Sequence, residues 1–469
     1  MSDTNDTAYD LVIIGAGPAG EKAAAQAAYF RKKVLVIEAE PEPGGAAVHT
    51  GTLPSKTLRE TALYLSGYHA RELYGVAVEL DPRATLQHLM SRKRAIADEE
   101  SKHFRQNFQR HHVEYQRGRG RFLDPHTISI ATPDGERVVT GDFVMIATGS
   151  APFRPPDIDF ADNLIHDSDE ILTIEQLPSS MIVLGGGVIG CEYACMFAAL
   201  GTKITLVDAR PEILPFLDLE IIGRLKAAMQ KLGVTLVQNV RWKGVRRVGD
   251  KVQAELSDGR TLVCEQILYA AGRSGRSNEL GLERAGVKTD SRGYIPVDAQ
   301  FRTNVPHVLA AGDIVGFPAL ASVSMEQGRV AVCHAFGFTY KTAVASQMPY
   351  GIYTIPEVSS FGETEETCKE KNIEYVVGRS LFAENPRGMI TGDLDGAIKL
   401  VVDAHTRKLI GVHVIGERAS ELVHVGQVAV TLGATVDLFI DMVFNYPTLG
   451  DSYKYAAYHC LGELAARAH

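Results

Sequence analysis

The chain has 469 residues, too many for one hydrophobic core, and is expected to divide into roughly two to four domains. Hydrophobic residues at 45% and charged residues at 22% give the balance of a soluble globular protein. The formal charge of −9 is spread along the sequence without a basic stripe to neutralise phosphates, which argues against nucleic acid as a partner. Residues 1–10 are polar and acidic, unlike a secretory signal with its positive start and apolar core. No apolar stretch reaches the length of a membrane span; the best, residues 193–200, is far too short. The basic runs Arg31-Lys32-Lys33 and Arg92-Lys93-Arg94 read as solvated faces. The six cysteines include no C-x-x-C pair, and Cys191 and Cys195, four apart on a predicted helix, suit two buried residues. These features predict a protein of the reducing cytoplasm, with no metal site.

In chain order, residues 9–14 form a short apolar strand that runs into Gly15-Ala16-Gly17-Pro18-Ala19-Gly20. An alanine-rich helix over about 20–30 and a strand over 34–37 ending in Glu38 complete a β-α-β unit. Its glycines let the backbone approach a pyrophosphate at the helix N-terminus, and Glu38 is placed to accept from a ribose hydroxyl. Residues 53–109 read as largely helical, and 113–140 as short strands with a Pro133-Asp134-Gly135 turn. A buried strand over 143–147 leads into a Thr148-Gly149 turn. A second β-α-β unit starts at Met181 and carries Gly185-Gly186-Gly187-Val188-Ile189-Gly190, a helix bearing Glu192, and a strand ending at Asp208. A further strand over 266–271 ends in Gly272-Arg273. Two complete dinucleotide fingerprints in one chain are far more specific than one.

The run Gly44-Gly45-Ala46-Ala47-Val48-His49-Thr50-Gly51-Thr52-Leu53-Pro54-Ser55-Lys56 resembles the redox-active segment of the flavoprotein disulfide reductases. That family has Gly-Gly, one residue, Cys, four residues, Cys, an apolar residue and Pro-Ser-Lys; Ala47 and Thr52 stand at the cysteine positions. A thiol–disulfide relay needs a thiolate to attack and a second sulfur to leave. The resemblance thus implies electron transfer without a disulfide. It also takes in Gly118-Arg119-Gly120, the family's loop against the flavin adenine, and the 308–313 run ending in Gly312-Asp313, whose aspartate holds the ribityl chain. The helix expected near Ala321 would aim its N-terminus at the flavin pyrimidine.

The resemblance covers nearly the whole chain and implies an α/β fold of two Rossmann-like nucleotide-binding domains plus a C-terminal α+β dimerisation domain. The FAD-binding domain would comprise residues 1–155 and 275–346, an inserted NAD(P) domain 156–274, and the interface domain of a homodimer 347–469. For FAD the implied residues are Gly15, Gly17, Gly20, Glu38, Gly45, Lys56, Gly120, Gly149, Gly312 and Asp313. For NAD(P) they are Gly185, Gly187, Val188, Gly190, Asp208, Arg210 and Gly272. Lys56 beside the flavin, paired with Glu192, would favour the electron-rich reduced ring.

In the run Phe444-Asn445-Tyr446-Pro447-Thr448-Leu449-Gly450-Asp451, Tyr446 and Asp451 replace the His and Glu that handle thiol protons in the family. This run, with His49 and Thr52-Leu53-Pro54-Ser55-Lys56, resembles the soluble pyridine nucleotide transhydrogenase branch, which moves hydride between NADPH and NAD through FAD. Ala47 departs from better-known members, which keep a lone cysteine, and Asp208 from their uncharged strand tip. A strand-tip carboxylate repels the 2′-phosphate of NADP; Arg210 either offsets this with a phosphate contact or is a surface arginine. Alternatives to transhydrogenation are an NAD(P)H dehydrogenase reducing quinones or dyes, and a nucleotide-sensing partner with little turnover.

Overall fold

The structure, a computed structural model, describes residues 7–68, 73–75 and 78–467, so part of the polar N-terminus lies outside the described residues. The chain forms two units, Met1–Thr57 with Met90–Phe153 and Gly272–Ala345, and Leu58–Leu89 with Arg154–Ala271 and Ser346–His469.

In the first unit, Ala8–Ile14 lies parallel to Val34–Glu38 on one side and Gly135–Ile146 on the other, and Val308–Ala310 pairs parallel with the latter. Alternate residues serve two cores. Leu11, Ile13, Val34 and Val36 meet the alanines of the helix Pro18–Tyr29, while Val12, Ile14, Leu35 and Ile37 meet Phe122, Ile128 and Ile130. Burial on both faces explains the unbroken apolar strands. The helix begins at Pro18, ahead of expectation, because proline at the first position has no N–H to lose. Its small residues let the helix Ala321–Ala335 approach: a Cβ on Gly328 would come within 2.3 Å of the Ala19 carbonyl oxygen.

Some expectations need correction. Gly120 lies in the strand Arg119–Phe122, paired antiparallel with Thr127–Thr132, and Gly118 immediately precedes it. Ala46 to Val48 belong to a short helix, Gly45–His49, that the sequence did not announce. Lys32 and Lys33 are not merely solvated, since their ammonium groups lie over the rings of Phe336 and Tyr9.

In the second unit a parallel sheet runs Thr235–Val237, Lys203–Val207, Ser180–Leu184, Gln266–Tyr269, Ile165–Asp167, beside a three-stranded antiparallel sheet over Trp242–Cys264. A five-stranded antiparallel sheet from Tyr350–Ile352 to Leu409–Ile415 packs against the helices Ala419–Thr431 and Ser452–Arg467. The expected pair Cys191 and Cys195 is fully buried on the helix Val188–Ala199.

A buried ion cluster ties the helix Leu219–Lys231 to this antiparallel sheet. Asp218 caps the helix by accepting from the Glu220 and Ile221 N–H groups, and Lys399 donates to both its oxygens at 2.7 and 2.8 Å and to Glu365 at 2.6 Å. Burial alone would push the Asp218 carboxyl up, but His413 and the Lys399 ammonium outweigh it and hold it below the usual range. A carboxyl lowered by folding contributes stability above its unfolded value, about 3.9, and loses it as pH falls through the lower folded value. We expect Asp218→Asn to flatten that acid limb of stability in urea unfolding measured across pH 2–5. An unchanged limb would show that the cluster is not linked to folding.

Candidate functional site

The register of the first unit brings four strand ends to one edge: Gly15 donates to the Ile37 carbonyl, Ala147 to Ile14 and Ala311 to Ile146. Gly15 has φ +111°, and a Cβ there would sit 2.3 Å from the Ala147 oxygen, so only glycine makes this turn. Gly20 allows the turn to close on itself, its Cβ position lying 2.0 Å from the Gly15 oxygen. Gly17 faces only the backbone of Gly45, which keeps both main chains bare. The Gly44 N–H binds the Ala16 carbonyl at 2.9 Å and joins the two glycine turns. The helix Pro18–Tyr29 has no side-chain N-cap, so its leading N–H groups are available to an anion. Glu38 accepts from the Ala16 N–H at 2.8 Å and the Glu40 N–H at 2.9 Å; burial pushes its carboxyl up against these contacts.

Asp313 begins a turn of 3₁₀ helix at the same edge and accepts from Ser150 at 3.1 Å and Ser324 at 3.4 Å. The Gly312 N–H donates to Gln327 at 2.8 Å, and the helix Ala321–Ala335 lacks a side-chain cap. Ser150 stands outside the sequence motifs, while Gln327 falls in the Glu326-Gln327-Gly328 run of the helix expected near Ala321, with no contact assigned to it. Position alone marks Ser150, directly after Thr148-Gly149. Arg273 fixes it by donating to its hydroxyl at 2.8 Å and its carbonyl at 2.9 Å, where Arg273–Gly275 pairs with Ser150–Pro152. Gly149 and Gly272 have positive φ and open space where a Cβ would stand, and the Gly272 carbonyl accepts from the Phe153 N–H. Gly120 is walled in by Ile37 and Ile14. Lys56 is half-buried and donates to the Ser55 hydroxyl at 3.2 Å; His49 contacts the Pro43 carbonyl at 3.0 Å. A flavin dinucleotide fits this set: bare glycine backbone and an uncapped helix for its pyrophosphate, and the buried Glu38 and half-buried Asp313 for its sugar hydroxyls.

The second unit repeats the design. Gly185 has φ +112° with a Cβ position 2.7 Å from the Ala270 oxygen, Gly190 closes on the Gly185 oxygen, and nothing stands within 4 Å of a Cβ on Gly187. Val188 opens the helix Val188–Ala199, again without a side-chain cap. Asp208 takes the role that Glu38 has in the first unit, accepting from the Gly186 N–H and the Arg210 N–H. It differs in one respect. Arg210 forks onto it, Nε to Oδ1 at 2.9 Å and Nη2 to Oδ2 at 2.7 Å. Burial opposes ionisation of Asp208, but the Arg210 guanidinium and the backbone N–H groups hold its carboxyl below the usual range. Arg210 is thus an exposed arginine whose guanidinium is held on Asp208. Glu192, on the same helix as Val188, is 6% exposed and accepts from the Tyr353 N–H at 2.9 Å. Tyr446 is exposed. Among the described residues no group of His, Cys, Asp and Glu could hold a metal ion, and no helix is long and apolar enough to cross a membrane.

Residues 9–328 match the pyridine nucleotide-disulphide oxidoreductase family, and residues 348–457 match the dimerisation domain of that family. The chain is 43% identical over 470 aligned residues, 98% of each chain, to a soluble pyridine nucleotide transhydrogenase of Mycobacterium bovis. It is 36% identical to the protein of that name from Klebsiella pneumoniae, over 97% of this chain and 98% of the other. Among solved structures it resembles LpdA from Mycobacterium tuberculosis, with TM-score 0.87, 29% identity and coverage of 96% and 99%. The flavoprotein disulfide reductase RclA from Escherichia coli, solved as a Cu(II) complex, gives TM-score 0.86 at 25% identity, covering 96% of this chain and 99% of that one. With both matches spanning nearly its whole length, the chain belongs to the pyridine nucleotide-disulphide oxidoreductases, flavoenzymes that use FAD and NAD(P).

Proposed function

We propose that this enzyme passes hydride from NAD(P)H through FAD to a second pyridine nucleotide, without a redox disulfide. The observation that carries the reading is a dinucleotide cradle in each unit combined with the absence of any exposed thiol. Ala47 and Thr52 stand at the cysteine positions, and all six cysteines are buried. Burial pushes the thiols of Cys191 and Cys195 up, the latter to about 12, so neither offers a thiolate at neutral pH. FAD, when bound, supplies a ring that accepts hydride from one nucleotide and returns it to another.

In this reading the chain's residues bind and orient. Gly15, Gly17, Gly20, Gly45, Gly149, Gly312 and Asp313 would hold FAD, with Glu38 to accept from its adenosine ribose and the backbone at Gly120 to serve its adenine end. Gly185, Gly187, Val188, Gly190, Asp208, Arg210 and Gly272 receive NAD(P). Lys56 and Glu192 act on the hydride transfer. The working division is an FAD domain of residues 1–155 and 275–346, an NAD(P) domain of 156–274 and an interface domain of 347–469. Exposed apolar groups on that last segment, such as Val428, Leu432 and Val443, suit a homodimer surface. Six free cysteines suit the cytoplasm.

The test is anaerobic reduction of the yellow holoenzyme by NADH and by NADPH, followed by NAD, NADP or a quinone. We expect reduction to stop at two electrons per flavin, with no thiolate charge-transfer band, and reoxidation by the other nucleotide. Glutathione disulfide and dihydrolipoamide should not react. Turnover of either, surviving replacement of Cys191 and Cys195, would overturn the disulfide-free reading, and reoxidation by quinone alone would replace transhydrogenation with a dehydrogenase.

A further inference from the structure

Arg59 lies one turn after Lys56 on the helix Thr52–Ser66, is 6% exposed, and has no part in the chemistry described so far. A guanidinium so buried is costly unless its donors are all placed. Its Nε donates to the Thr354 carbonyl at 2.9 Å, and its Nη1 donates to Glu357 at 3.1 Å and to Glu60. Glu357 is buried as well. Its second oxygen accepts from the Ser420 hydroxyl at 2.7 Å, and its carbonyl accepts from the Gly416 N–H at 2.9 Å. The segment from Tyr353 to Glu357 is thereby clamped at Thr354 and at Glu357.

The flanking N–H groups of the same segment reach the helix Val188–Ala199. The Tyr353 N–H donates to Glu192 Oε1 at 2.9 Å, and the Ile355 N–H faces the thiol of Cys195, one turn beyond Glu192. Arg59 therefore holds the carbonyl of a residue whose two neighbours hold Glu192 and its helix. Only an arginine suits this place, because a planar fork can satisfy a carbonyl and a carboxylate together.

We propose that Arg59 is a positioning residue for Glu192: by clamping Thr354 and Glu357 it keeps the Tyr353 N–H against the Glu192 carboxylate. The role in hydride transfer rests on the proposed function of Glu192; the clamp itself does not. Two measurements separate them. Hydrogen exchange, followed by mass spectrometry of the holoenzyme, reads the Tyr353 and Ile355 amides directly. Stopped-flow flavin reduction by NADH reads the consequence. In Arg59→Lys, which keeps the charge and loses the fork, and in Arg59→Ala, we expect those amides to exchange about tenfold faster and flavin reduction to slow about tenfold, the scale of one lost charged hydrogen bond. NADH half-saturation should stay at the parent value. Guanidinium ion added to Arg59→Ala should restore both readouts, which a general loss of packing would not allow. In a Glu192→Gln background, Arg59→Lys should add no further slowing. Amides that stay protected in both Arg59 variants, or a slowing that adds in full to that of Glu192→Gln, would overturn the proposal. Freely exchanging amides together with a parental rate in Glu192→Gln would leave the clamp standing and remove Glu192 from the reaction.

Discussion

Lys56→Met is expected to slow flavin reduction by NADH about 10²-fold, the scale on which one preorganised electrostatic group acts in a water-poor site. The reasoning starts from where charge develops. Hydride transfer places negative charge on the ring, and a cation nearby stabilises that state more than the complex from which it forms. Nucleotide affinity should therefore change little, and the loss should appear in the limiting rate. Lys56 sits in a helix, Thr52–Ser66, whose first turn carries Ser55, and the Lys56 ammonium donates to that hydroxyl at 3.2 Å. Methionine keeps the length of the stem and removes the charge, so the comparison isolates electrostatics from packing. Glu192→Gln should give a milder defect of the same kind. Its N–H contact from Tyr353 survives on the amide oxygen while the negative charge is lost. Parental rates in both variants would make the two residues structural, and the holoenzyme absorbance in each variant checks that flavin is still held.

Much of the architecture was legible because its signals are local. The first strand, the Gly15 to Gly20 turn and Glu38 lie within one β-α-β unit, and the second unit repeats that spacing from Ser180 to Asp208. The alternation of the strands and the small residues of the helices announce what they face. The contacts that hold the site in place are of another kind. Arg59 meets Thr354 across 295 residues of sequence, and Asp218 meets Lys399 across 181. Neither partner carries a spacing that singles it out, and a buried arginine or lysine looks in sequence like any surface charge. Gly118 and Gly120 show the opposite failure. A glycine pair suggests a loop, yet a Cβ on Gly118 would collide with Ile130 at 2.7 Å, and one on Gly120 would press on Ile37 at 3.3 Å. The fork of Arg210 on Asp208 is half legible: the two residues stand out at the strand tip, while nothing in their spacing says which way the guanidinium turns.

That fork sets the second large expectation. Asp208 is buried and accepts from the Gly186 N–H, the Arg210 N–H and two nitrogens of the Arg210 side chain. A lone carboxylate at this strand tip would repel the 2′-phosphate of NADP. With Arg210 forked onto it, the pair is close to neutral, and Nη1 remains outside the fork on a side chain 46% exposed. The arrangement suits a site that takes both nucleotides: Asp208 for the ribose of NADH, Arg210 for the phosphate of NADPH. Arg210→Ala is expected to weaken NADPH by about 1.5–3 kcal/mol, a lost charged hydrogen bond plus the re-exposed repulsion of Asp208. NADH should bind as before, since the Gly186 N–H still orients the carboxylate. Asp208→Asn should do the reverse, improving NADPH and weakening NADH. Dissociation constants from flavin-silent titrations in 20 and 200 mM salt supply a further check, because NADPH binding should lose salt sensitivity once the partly exposed cation is gone. Should Arg210→Ala weaken both nucleotides equally, or neither, Arg210 only neutralises Asp208. A parent enzyme unable to use NADP(H) would then have one nucleotide substrate, and its acceptor would have to be sought among quinones.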